Sequence, residues 1–579
     1  MKYLIKNLYI IVFLIISILI LNISFCHHRA ERIFYWENEV YCDKGGYYCY
    51  LPATFIYNFD GEKIPEYAVL MTGYGFKIEN GKVITKYSYG TSLLMTPFFL
   101  ITHAIVLISG EVADGFSIMY LKMTLVSGVF YLFLGMLFLF LFLRNYFDKL
   151  TSYFSVFVVL FGTNLYFYST DEVGMSHVYS FALFSMLLYF NKRYLTTEDS
   201  KKRFWLFLII SILCAIVVIV RNMDIVFLPF VFLWDISDKK LFKNRIRLYL
   251  TYKNVFVFII VSVIIIFPQL LYWKYAFNSY FAYSYGGEEF INFKNPLWLE
   301  LLFSPRGGML VYNPVIVFAI IGAVTYVVKR NLNGIWIIMI FIIYVYLISS
   351  WHTWSMGVSY GSRAAIDVYP FLAVGFAVVI SAFKRFYKIV AISFLFLASL
   401  YSFNIVSNFR FGFKGFGDWD WNEYKYEVSS GDISVFLFGP NSYKEDVNYI
   451  ITIKAYNGKY VRLQPDGSLI ANGDSVTQLD KFKMIKIDKE DQRVAFISDT
   501  SSYVCADERR QNRLWSVYYK RSFWESFFLI SKGNGMANIK SYNDLFVSAD
   551  FNFGGILVAD RIEAREWELF EIDTLEVVK

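Results

Sequence analysis

Long apolar runs, each close to the thickness of a bilayer, recur along the first 405 residues of this chain. A transmembrane helix needs about 20 mostly apolar residues in succession. The composition agrees with such helices, because 57% of the 579 residues are hydrophobic and only 18% are charged. We predict a polytopic α-helical membrane protein with about eleven transmembrane helices. They lie near residues 4–25, 117–143, 152–169, 174–191, 204–220, 223–235, 255–273, 309–328, 334–350, 367–383 and 388–405.

The distribution of Lys and Arg between these runs predicts the orientation of the chain. With a cytoplasmic N-terminus, twenty of these residues fall in the inner segments. The shorter outer segments hold only Arg221, Lys274, Lys294, Arg306 and Arg363. Since cytoplasmic loops carry the excess of positive charge, we expect a multi-pass protein of the cytoplasmic (plasma or inner) membrane. The segments expected on the extracytoplasmic side are 27–116, 275–308, 351–366 and everything after about 406.

The apolar segment 90–110 does not fit this pattern as a full crossing. It contains Pro97 and His103, and counting it as a span would invert the charge distribution downstream. We therefore expect it at the outer interface, as an amphipathic or half-inserted helix. A re-entrant segment is the alternative.

The chain changes character after about residue 440, where short alternating segments and turns replace the long apolar runs. Two aromatic positions recur at intervals of 43 to 45 residues: Tyr460, Tyr503 and Phe546, and Phe482, Phe527 and Phe570. Three such repeats predict a separate all-β domain with threefold symmetry, a β-trefoil, over 447–575 after a linker at 406–446. The segments NGKYV, DKFKMI and REWELFEI resemble the fascin-like branch of the trefoils, which implies that the repeated aromatics are core residues.

The stretch CDKGGYYCYLPATFIY follows the first helix and places a single acid, Asp43, just outside the membrane. A carboxylate held there can accept a proton from an acceptor hydroxyl and so act as a general base. The adjacent glycines permit close backbone approach, and Tyr47 and Tyr48 can hydrogen-bond to a sugar or stack on it. Cys42 and Cys49 are candidates for a disulfide in an oxidising exterior. The competing interpretation makes Asp43 an ordinary solvated loop acid.

The first 405 residues resemble the membrane glycosyltransferases of the GT-C fold, such as the protein O-mannosyltransferases and the aminoarabinose transferases. CDKGGYYCYLPATFIY is similar to the acid-bearing start of their first outer loop. KYSYGTSLLMTPFFL looks like a segment that many relatives write as Tyr-Pro-Pro-Gly followed by Leu-Leu and Pro, although Ser88 and Tyr89 replace the proline pair here. LLFSPRGGMLVYNPV and SSWHTWSMGVSYGSRAAIDVYPFLA resemble the donor-side loops of bacterial polyprenyl-phosphate-sugar transferases.

The resemblance implies an inverting glycosyltransferase that moves a sugar from a polyprenyl-phosphate donor to a hydroxyl acceptor on the extracytoplasmic side. Asp43 is then the catalytic base. The donor phosphate needs cationic partners, and Lys86, Arg306, His352 and Arg363 are the candidates. For Arg363 the competing interpretation is an ion pair with Asp367, four residues further on.

Further acids on the expected outer side leave the metal question open. Asp171 or Glu172 can place a second carboxylate near Asp43, either to orient the acceptor or to share a divalent cation. No His and Cys spacing typical of a metal site is present, so metal dependence cannot be read from the sequence. Arg221 and Asp224, three positions apart, are expected to form a structural ion pair.

Other function classes find less support in the sequence. The net charge of +7 is spread between the apolar runs, which argues against a nucleic-acid partner. No phosphate-binding loop of nucleotide-driven transporters is present. The expected partners are a polyprenyl-phosphate-linked sugar, the lipid bilayer and a glycan, lipid or protein acceptor. A lipid or sugar transporter and a membrane-anchored binding protein that displays the β-trefoil are the two alternatives.

Overall fold

The computed structural model describes residues 8–28, 38–357, 359–382, 385–411, 421, 424–425, 447–487, 493–499, 502–507, 512–518 and 525–578. The chain divides into two compact units, a helical one drawn mainly from Phe34–Phe403 and a second drawn mainly from Asn422–Lys579. In the predicted linker 406–446, the first six residues continue the helix Arg385–Phe411. Nearly all of the remainder lies outside the described residues.

The helical unit holds long helices joined by short helical turns. The longer helices are Leu8–His27, Gly90–Ser109, Ile118–Leu143, Lys149–Phe161, Ser176–Thr196, Ser200–Val220, Lys239–Tyr249, Tyr252–Phe277, Ile316–Val328, Asn333–Ser350, Tyr369–Ala382 and Arg385–Phe411. The shorter ones are Asp43–Tyr48, Tyr50–Phe55, Glu66–Met71, Leu165–Thr170, Leu228–Leu233, Trp298–Phe303 and Met309–Tyr312, with 3-10 turns at Gly61–Lys63, Asn222–Phe227 and Arg363–Val368. A small hairpin pairs strand β1 (Lys77–Glu79) with β2 (Lys82–Ile84).

Within the part of the chain that the structure describes, seven helices are long and apolar enough to cross a membrane. They are Leu8–His27, Gly90–Ser109, Ile118–Leu143, Ser200–Val220, Tyr252–Phe277, Asn333–Ser350 and Arg363–Ala382. The predicted count of eleven is therefore not confirmed. One reason is visible at the predicted span 309–328, which breaks where Pro314 has no backbone N–H to continue the helix.

Segment 90–110 forms one continuous helix, Gly90–Ser109, which qualifies as a candidate span by length and composition. The charge pattern predicts an interfacial position for it instead. Its first residue lies against the end of helix Ser200–Val220, since a Cβ on Gly90 would come within 2.3 Å of the Ile219 carbonyl carbon. Only glycine permits this approach, which joins the first loop to the helix end that carries Arg221.

Close glycine contacts also set helix Ile118–Leu143 against helix Ser176–Thr196. A Cβ on Gly128 would lie 2.3 Å from Val173, and one on Gly135 would lie 2.6 Å from Phe181. Since the later glycine meets the later residue, the two helices run in the same direction, at van der Waals distance. The start of helix Ser176–Thr196 is in turn hydrogen-bonded to the first loop, because Ser176 donates to the Tyr47 hydroxyl.

The second unit is an all-β domain. Its strands are β3 (Tyr449–Lys454), β4 (Tyr460–Leu463), β5 (Leu469–Gly473), β6 (Lys481–Lys486), β7 (Arg493–Ile497), β8 (Tyr503–Asp507), β9 (Arg513–Tyr518), β10 (Phe527–Gly533), β11 (Met536–Ser541), β12 (Phe546–Asp550), β13 (Ile556–Arg561) and β14 (Leu569–Val577). All pairings are antiparallel.

Strand pairing in this domain repeats three times. β3, β6, β7, β10, β11 and β14 pair in a closed ring, in that order, and β14 returns to β3. The other strands form three hairpins, β4 with β5, β8 with β9 and β12 with β13. Phe482, Phe527 and Phe570 are fully buried in one core cluster. The closing aromatics of the three repeats therefore lie in the core, as the repeat spacing predicts.

Candidate active site

The helical unit contains a cavity of about 440 Å³ to which distant parts of the chain contribute. It is lined by Asp43, Tyr47, Lys86, Tyr87, Ser88, His177, Val220, Arg221, Asn222, Met223, Trp273, Ala282, Tyr283, Ser284, Tyr285, Glu288, Phe290, Trp351, His352, Thr353, Met356, Gly357 and Arg363. Five of the residues predicted to form a site share this lining: Asp43, Tyr47, Lys86, His352 and Arg363. The volume lies within the range of small-molecule sites.

Asp43 is one of the two carboxylates in the lining of this cavity. It occupies the first position of the helix Asp43–Tyr48. Arg363, 320 positions further along the chain, donates from Nη2 to Asp43 Oδ2 at 2.7 Å. The Tyr87 hydroxyl donates to the other oxygen, Oδ1. Each oxygen accepts one hydrogen bond and retains a second lone pair for a ligand.

The position of Tyr87 depends on the glycine pair that follows Asp43. Gly46 lies one turn beyond Asp43 on the same helix face. A Cβ on Gly46 would come within 2.1 Å of the Tyr87 ring and 2.6 Å of the Gly75 carbonyl oxygen. The missing side chain thus lets the Tyr87 ring lie directly on the helix and aim its hydroxyl at the carboxylate.

The charges around Asp43 keep it ionised. Burial by itself would raise the pKa of this carboxyl, but the Arg363 guanidinium and the hydrogen bond from Tyr87 outweigh burial, so the pKa lies below its usual 3.8. Burial and the adjacent Asp43 charge raise the pKa of Tyr87 above its usual 10.0. Tyr87 therefore remains a neutral donor and Asp43 a carboxylate at neutral pH.

Arg221 adds a second guanidinium to the cavity wall. Its Nε lies 2.9 Å from Asp367 Oδ2, and its Nη1 donates to Ser176 Oγ at 3.2 Å. His177 Nδ1 lies 3.2 Å from the other oxygen of Asp367. Asp367 is thus the partner of Arg221, whereas Arg363 pairs with Asp43. The local pair of Arg363 with Asp367 considered from the sequence is replaced by these long-range contacts. The expected local pair of Arg221 with Asp224 is present at 3.9 Å, alongside the closer contact of Arg221 with Asp367.

Lys86 brings a third cation to the cavity. Its Nζ lies 2.5 Å from Glu288 Oε1 and over the rings of Tyr87 and Tyr285, at 5.4 and 5.6 Å from their centroids. Aromatic side chains continue around the wall, where Trp351 packs edge-on against Tyr285. Such faces suit a sugar ring beside an anionic group.

The structure does not bring every predicted residue to this cavity. Arg306, Tyr48, Asp171 and Glu172 are absent from its lining among the described residues. Tyr48 is fully buried, and its hydroxyl donates to the Gly115 carbonyl.

Both candidates for the second acid have partners elsewhere. Asp171 is buried with its Oδ1 3.0 Å from His27 Nδ1. Glu172 lies 3.2 Å from the buried ammonium of Lys44. The prediction that either acid joins Asp43 in the site is therefore not supported by this arrangement.

Cys42 and Cys49, the two candidates for a disulfide, are free thiols in the structure. They flank the two ends of the same helix, Asp43–Tyr48. Seven residues of helix separate Cα atoms by about 10 Å, beyond the usual span of a disulfide of about 4.4–6.8 Å. Burial, reinforced by the Asp43 charge, raises the pKa of the Cys42 thiol to about 11.

The described residues contain no group of three His, Cys, Asp or Glu side chains that could hold a metal ion. The oxygen donors at the cavity are engaged by cations instead, Asp43 by Arg363 and Glu288 by Lys86. The polar features of the described site are therefore its ion pairs, which lie beside aromatic faces.

Sequence reasoning missed three contributors to the cavity. Tyr87 was singled out only as a position in the KYSYG segment, although it is the hydroxyl donor to Asp43. Arg221 was expected only in a structural pair with Asp224, and no motif in the sequence marks Glu288. Their separation in the sequence gives no signal of these contacts. The Trp and Tyr content of segments 273–290 and 351–354 is the one local feature that could have pointed to a lining.

No protein-family model matches the chain, and no curated protein is similar to it. Among solved structures, it is similar to a designed 3-fold symmetric protein, ThreeFoil, at 9% identity and a TM-score of 0.20, over 21% of this chain and 96% of that one. Cry35Ab1 matches at 13% identity and a TM-score of 0.20, over 23% of this chain and 38% of that one.

A third similar structure is the Polyporus squamosus lectin bound to a human-type influenza-binding epitope. It matches at 15% identity and a TM-score of 0.20, over 23% of this chain and 51% of that one. The β-rich domain thus has trefoil-like and lectin-like structural neighbours.

Proposed function

We propose that this protein is an integral-membrane, inverting glycosyltransferase of the GT-C type. It transfers a sugar from a polyprenyl-phosphate donor to a hydroxyl acceptor on the extracytoplasmic side of the membrane. The observation that carries the proposal is the contact of Asp43 with Arg363 in a cavity that also holds Lys86 and Arg221. A carboxylate that can accept a proton thereby lies 2.7 Å from a guanidinium that can bind a phosphate, and two further cations share the lining.

The proposed reaction uses each of these groups once. The acceptor hydroxyl gives its proton to a free lone pair of Asp43 while its oxygen forms a bond to the anomeric carbon. The bond from that carbon to the phosphate oxygen breaks, and both electrons leave with the polyprenyl phosphate. Arg363, Lys86 and Arg221 stabilise the charge that develops on this phosphate. The configuration at the anomeric carbon is inverted because the acceptor oxygen attacks on the face opposite to the departing phosphate.

The low pKa of Asp43 keeps it ionised at neutral pH, which is the state that can accept a proton. A phosphate leaves as an anion and needs no proton, so the site requires a carboxylate and cations but no general acid. The aromatic faces of Tyr47, Tyr285 and Trp351 can hold the sugar ring between them. His352, also in the lining, adds a polar group beside Trp351.

We extend the proposal to the all-β unit, which we assign as a β-trefoil of the fascin-like branch. Its closed ring of six strands and three hairpins, together with the buried Phe482, Phe527 and Phe570, supports this assignment. In the proposed function this domain lies outside the membrane and presents or recruits the acceptor. The positive charge between the apolar runs supports the orientation.

Transfer by the purified full chain tests the proposal. The protein in detergent micelles receives polyprenyl-phosphate-linked sugars that carry an isotope label, and released polyprenyl phosphate is measured by mass spectrometry. We expect release by the native chain and a loss of about 10²–10⁴-fold in Asp43→Asn, the usual contribution of a general base.

A matched substitution on the same loop controls for the loss of a charge. Asp60 is a partly exposed acid that caps a 3-10 turn, a role that Asn fills equally well. Asp60→Asn is expected to retain activity. Undiminished release by Asp43→Asn would overturn the enzyme proposal and favour the transporter or binding-protein alternatives.

A further inference from the structure

The three cations of the cavity are each already paired with a carboxylate of the protein. Arg363 pairs with Asp43, Arg221 with Asp367 and Lys86 with Glu288. An incoming phosphate must therefore compete with an internal anion for whichever cation it contacts. The three pairs differ in how firmly they are held, and this difference decides where exchange occurs.

Two of the three carboxylates have a second partner in addition to their cation. Asp43 also accepts a hydrogen bond from Tyr87, and Asp367 also contacts His177. Lys86 and Glu288 form the most exposed pair, with side-chain exposures of 35% and 28%, compared with 20% and 23% for Arg363 and Asp43. Exposed ion pairs are the weakest ones.

The backbone around Glu288 is fixed by contacts that do not use its carboxylate. Ser284 Oγ donates to the Lys86 carbonyl at 2.6 Å, and the Tyr283 hydroxyl donates to the Glu288 carbonyl. The His352 amide donates to the carbonyl of the next residue, Glu289, at 2.9 Å. The Glu288 side chain is thus not needed to anchor this segment, and its visible contact is with a cation of the cavity.

We propose that Glu288 is an internal competitor for the anionic ligand of this cavity. Its carboxylate contacts Lys86, and a phosphate ester displaces it on binding, whether this is the donor phosphodiester or the polyprenyl phosphate monoester that remains after transfer. The inference rests on the proposed function, since it takes the donor phosphate as the ligand. It adds a regulatory element: Glu288 sets how tightly the site retains any phosphate, including the polyprenyl phosphate left after transfer.

Calorimetric titration of the full chain in detergent with farnesyl phosphate tests this competition, at fixed pH and ionic strength. Glu288→Gln is expected to bind farnesyl phosphate about three- to fivefold more tightly, the range for release of a partly exposed ion pair. Glu289→Gln removes the same charge one residue away, outside the cavity lining, and is expected to leave the affinity within about twofold.

A double-mutant cycle separates competition at Lys86 from a general electrostatic effect. Lys86→Gln is expected to weaken binding, and adding Glu288→Gln to it should then change nothing. Unchanged or weaker binding by Glu288→Gln, or equal tightening by Glu289→Gln, would overturn the proposal. So would tightening that persists in the Lys86→Gln background.

The same titrations distinguish this inference from the proposed function itself. If Arg363→Gln weakens farnesyl phosphate binding while Glu288→Gln has no effect, only the competition is wrong. If the native chain does not bind farnesyl phosphate, both proposals fail. A parallel titration with inorganic phosphate separates recognition of the phosphate from recognition of the lipid. We expect inorganic phosphate to bind more weakly than farnesyl phosphate, but the ratio of the dissociation constants of the native chain and Glu288→Gln should be the same for both ligands.

Discussion

The contact between Asp43 and Arg363 joins two residues that the sequence gives no reason to pair. Asp43 could be selected because it follows an apolar helix directly, and Arg363 because an arginine at a helix end near a membrane is costly unless it has a function or a partner. The sequence offers Asp367 as the near partner of Arg363, yet Asp367 pairs with Arg221. Spacing in the sequence indicates which charged residues are candidates for a site, but tertiary packing determines which of them pair with each other.

Tyr87 is a positioning residue for the Asp43 carboxylate, and its removal has a distinct signature. Tyr87→Phe keeps the ring on Gly46 but removes the hydrogen bond to Oδ1. We expect kcat to fall about tenfold or more, as for a lost hydrogen bond to a charged group, with little change in KM. The control is Tyr74→Phe, on an exposed tyrosine of the same loop. Equal kcat in Tyr87→Phe and native chain would contradict the role.

The pH profile of transfer follows from the depressed pKa of Asp43. A lowered pKa leaves the carboxylate ionised until the pH falls through that value, so activity that needs the base is lost only below the usual 3.8. We expect no acid limb from Asp43 between pH 7 and about pH 5. In Arg363→Gln burial is no longer offset by the guanidinium, and the acid limb of the residual activity moves to higher pH. An unmoved limb in Arg363→Gln would contradict this account.

At the scale of elements, the helix Asp43–Tyr48 is held in place by the absence of side chains. Gly45 and Gly46 contact Thr72, Tyr87 and the Gly75 carbonyl at distances that leave no room for a Cβ. The glycine pair was recognisable in the sequence as a site of close approach. Its contacts with Thr72, Gly75 and Tyr87 were not, because these residues lie 27 to 41 positions further along the chain.

Gly46→Ala tests this packing. The new methyl group would overlap the Tyr87 ring, and overpacking of this kind costs about 1–3 kcal/mol. We expect a lower thermal unfolding midpoint of the helical unit and a loss of transfer that exceeds the loss in Tyr87→Phe. Full activity in Gly46→Ala would show that the ring need not lie on this helix.

The helix Gly90–Ser109 marks a limit of sequence reasoning at the same scale. Its apolar residues and its length make it a candidate span, while the positive charge downstream predicts an interfacial position. The two predictions conflict because hydropathy is a property of this segment alone, whereas the charge rule depends on the Lys and Arg residues of all the segments that follow it.

At the scale of the whole molecule, the sequence predicted a helical part with apolar spans and a separate all-β domain. Helices that are long and apolar enough to span a membrane and an all-β domain are both present. The count of eleven spans is not confirmed, because apolar runs such as 152–169 are broken into shorter helices, Lys149–Phe161 and Leu165–Thr170. The repeat spacing located the closing aromatics Phe482, Phe527 and Phe570 in the core. Of the other recurring set only Tyr503 is buried, whereas Tyr460 and Phe546 are partly exposed. The cavity, in contrast, depends on long-range packing throughout the helical unit.

The core assignment of the β-domain has its own test. Phe570→Ala removes a fully buried ring and is expected to destabilise this domain by about 3–5 kcal/mol. Phe553 is 71% exposed, so Phe553→Ala is expected to have little effect. Limited proteolysis of the full chain measures the difference as faster cleavage within 447–575. Equal cleavage rates for the two variants would contradict the assignment.

A density map of the full chain with a bound polyprenyl phosphate analogue tests the central claim most directly. The account predicts that the phosphate lies in the cavity, within about 3.5 Å of Arg363 or Lys86, with Asp43 facing the position of the anomeric carbon. A phosphate bound elsewhere, with the cavity unoccupied and its ion pairs intact, would contradict it.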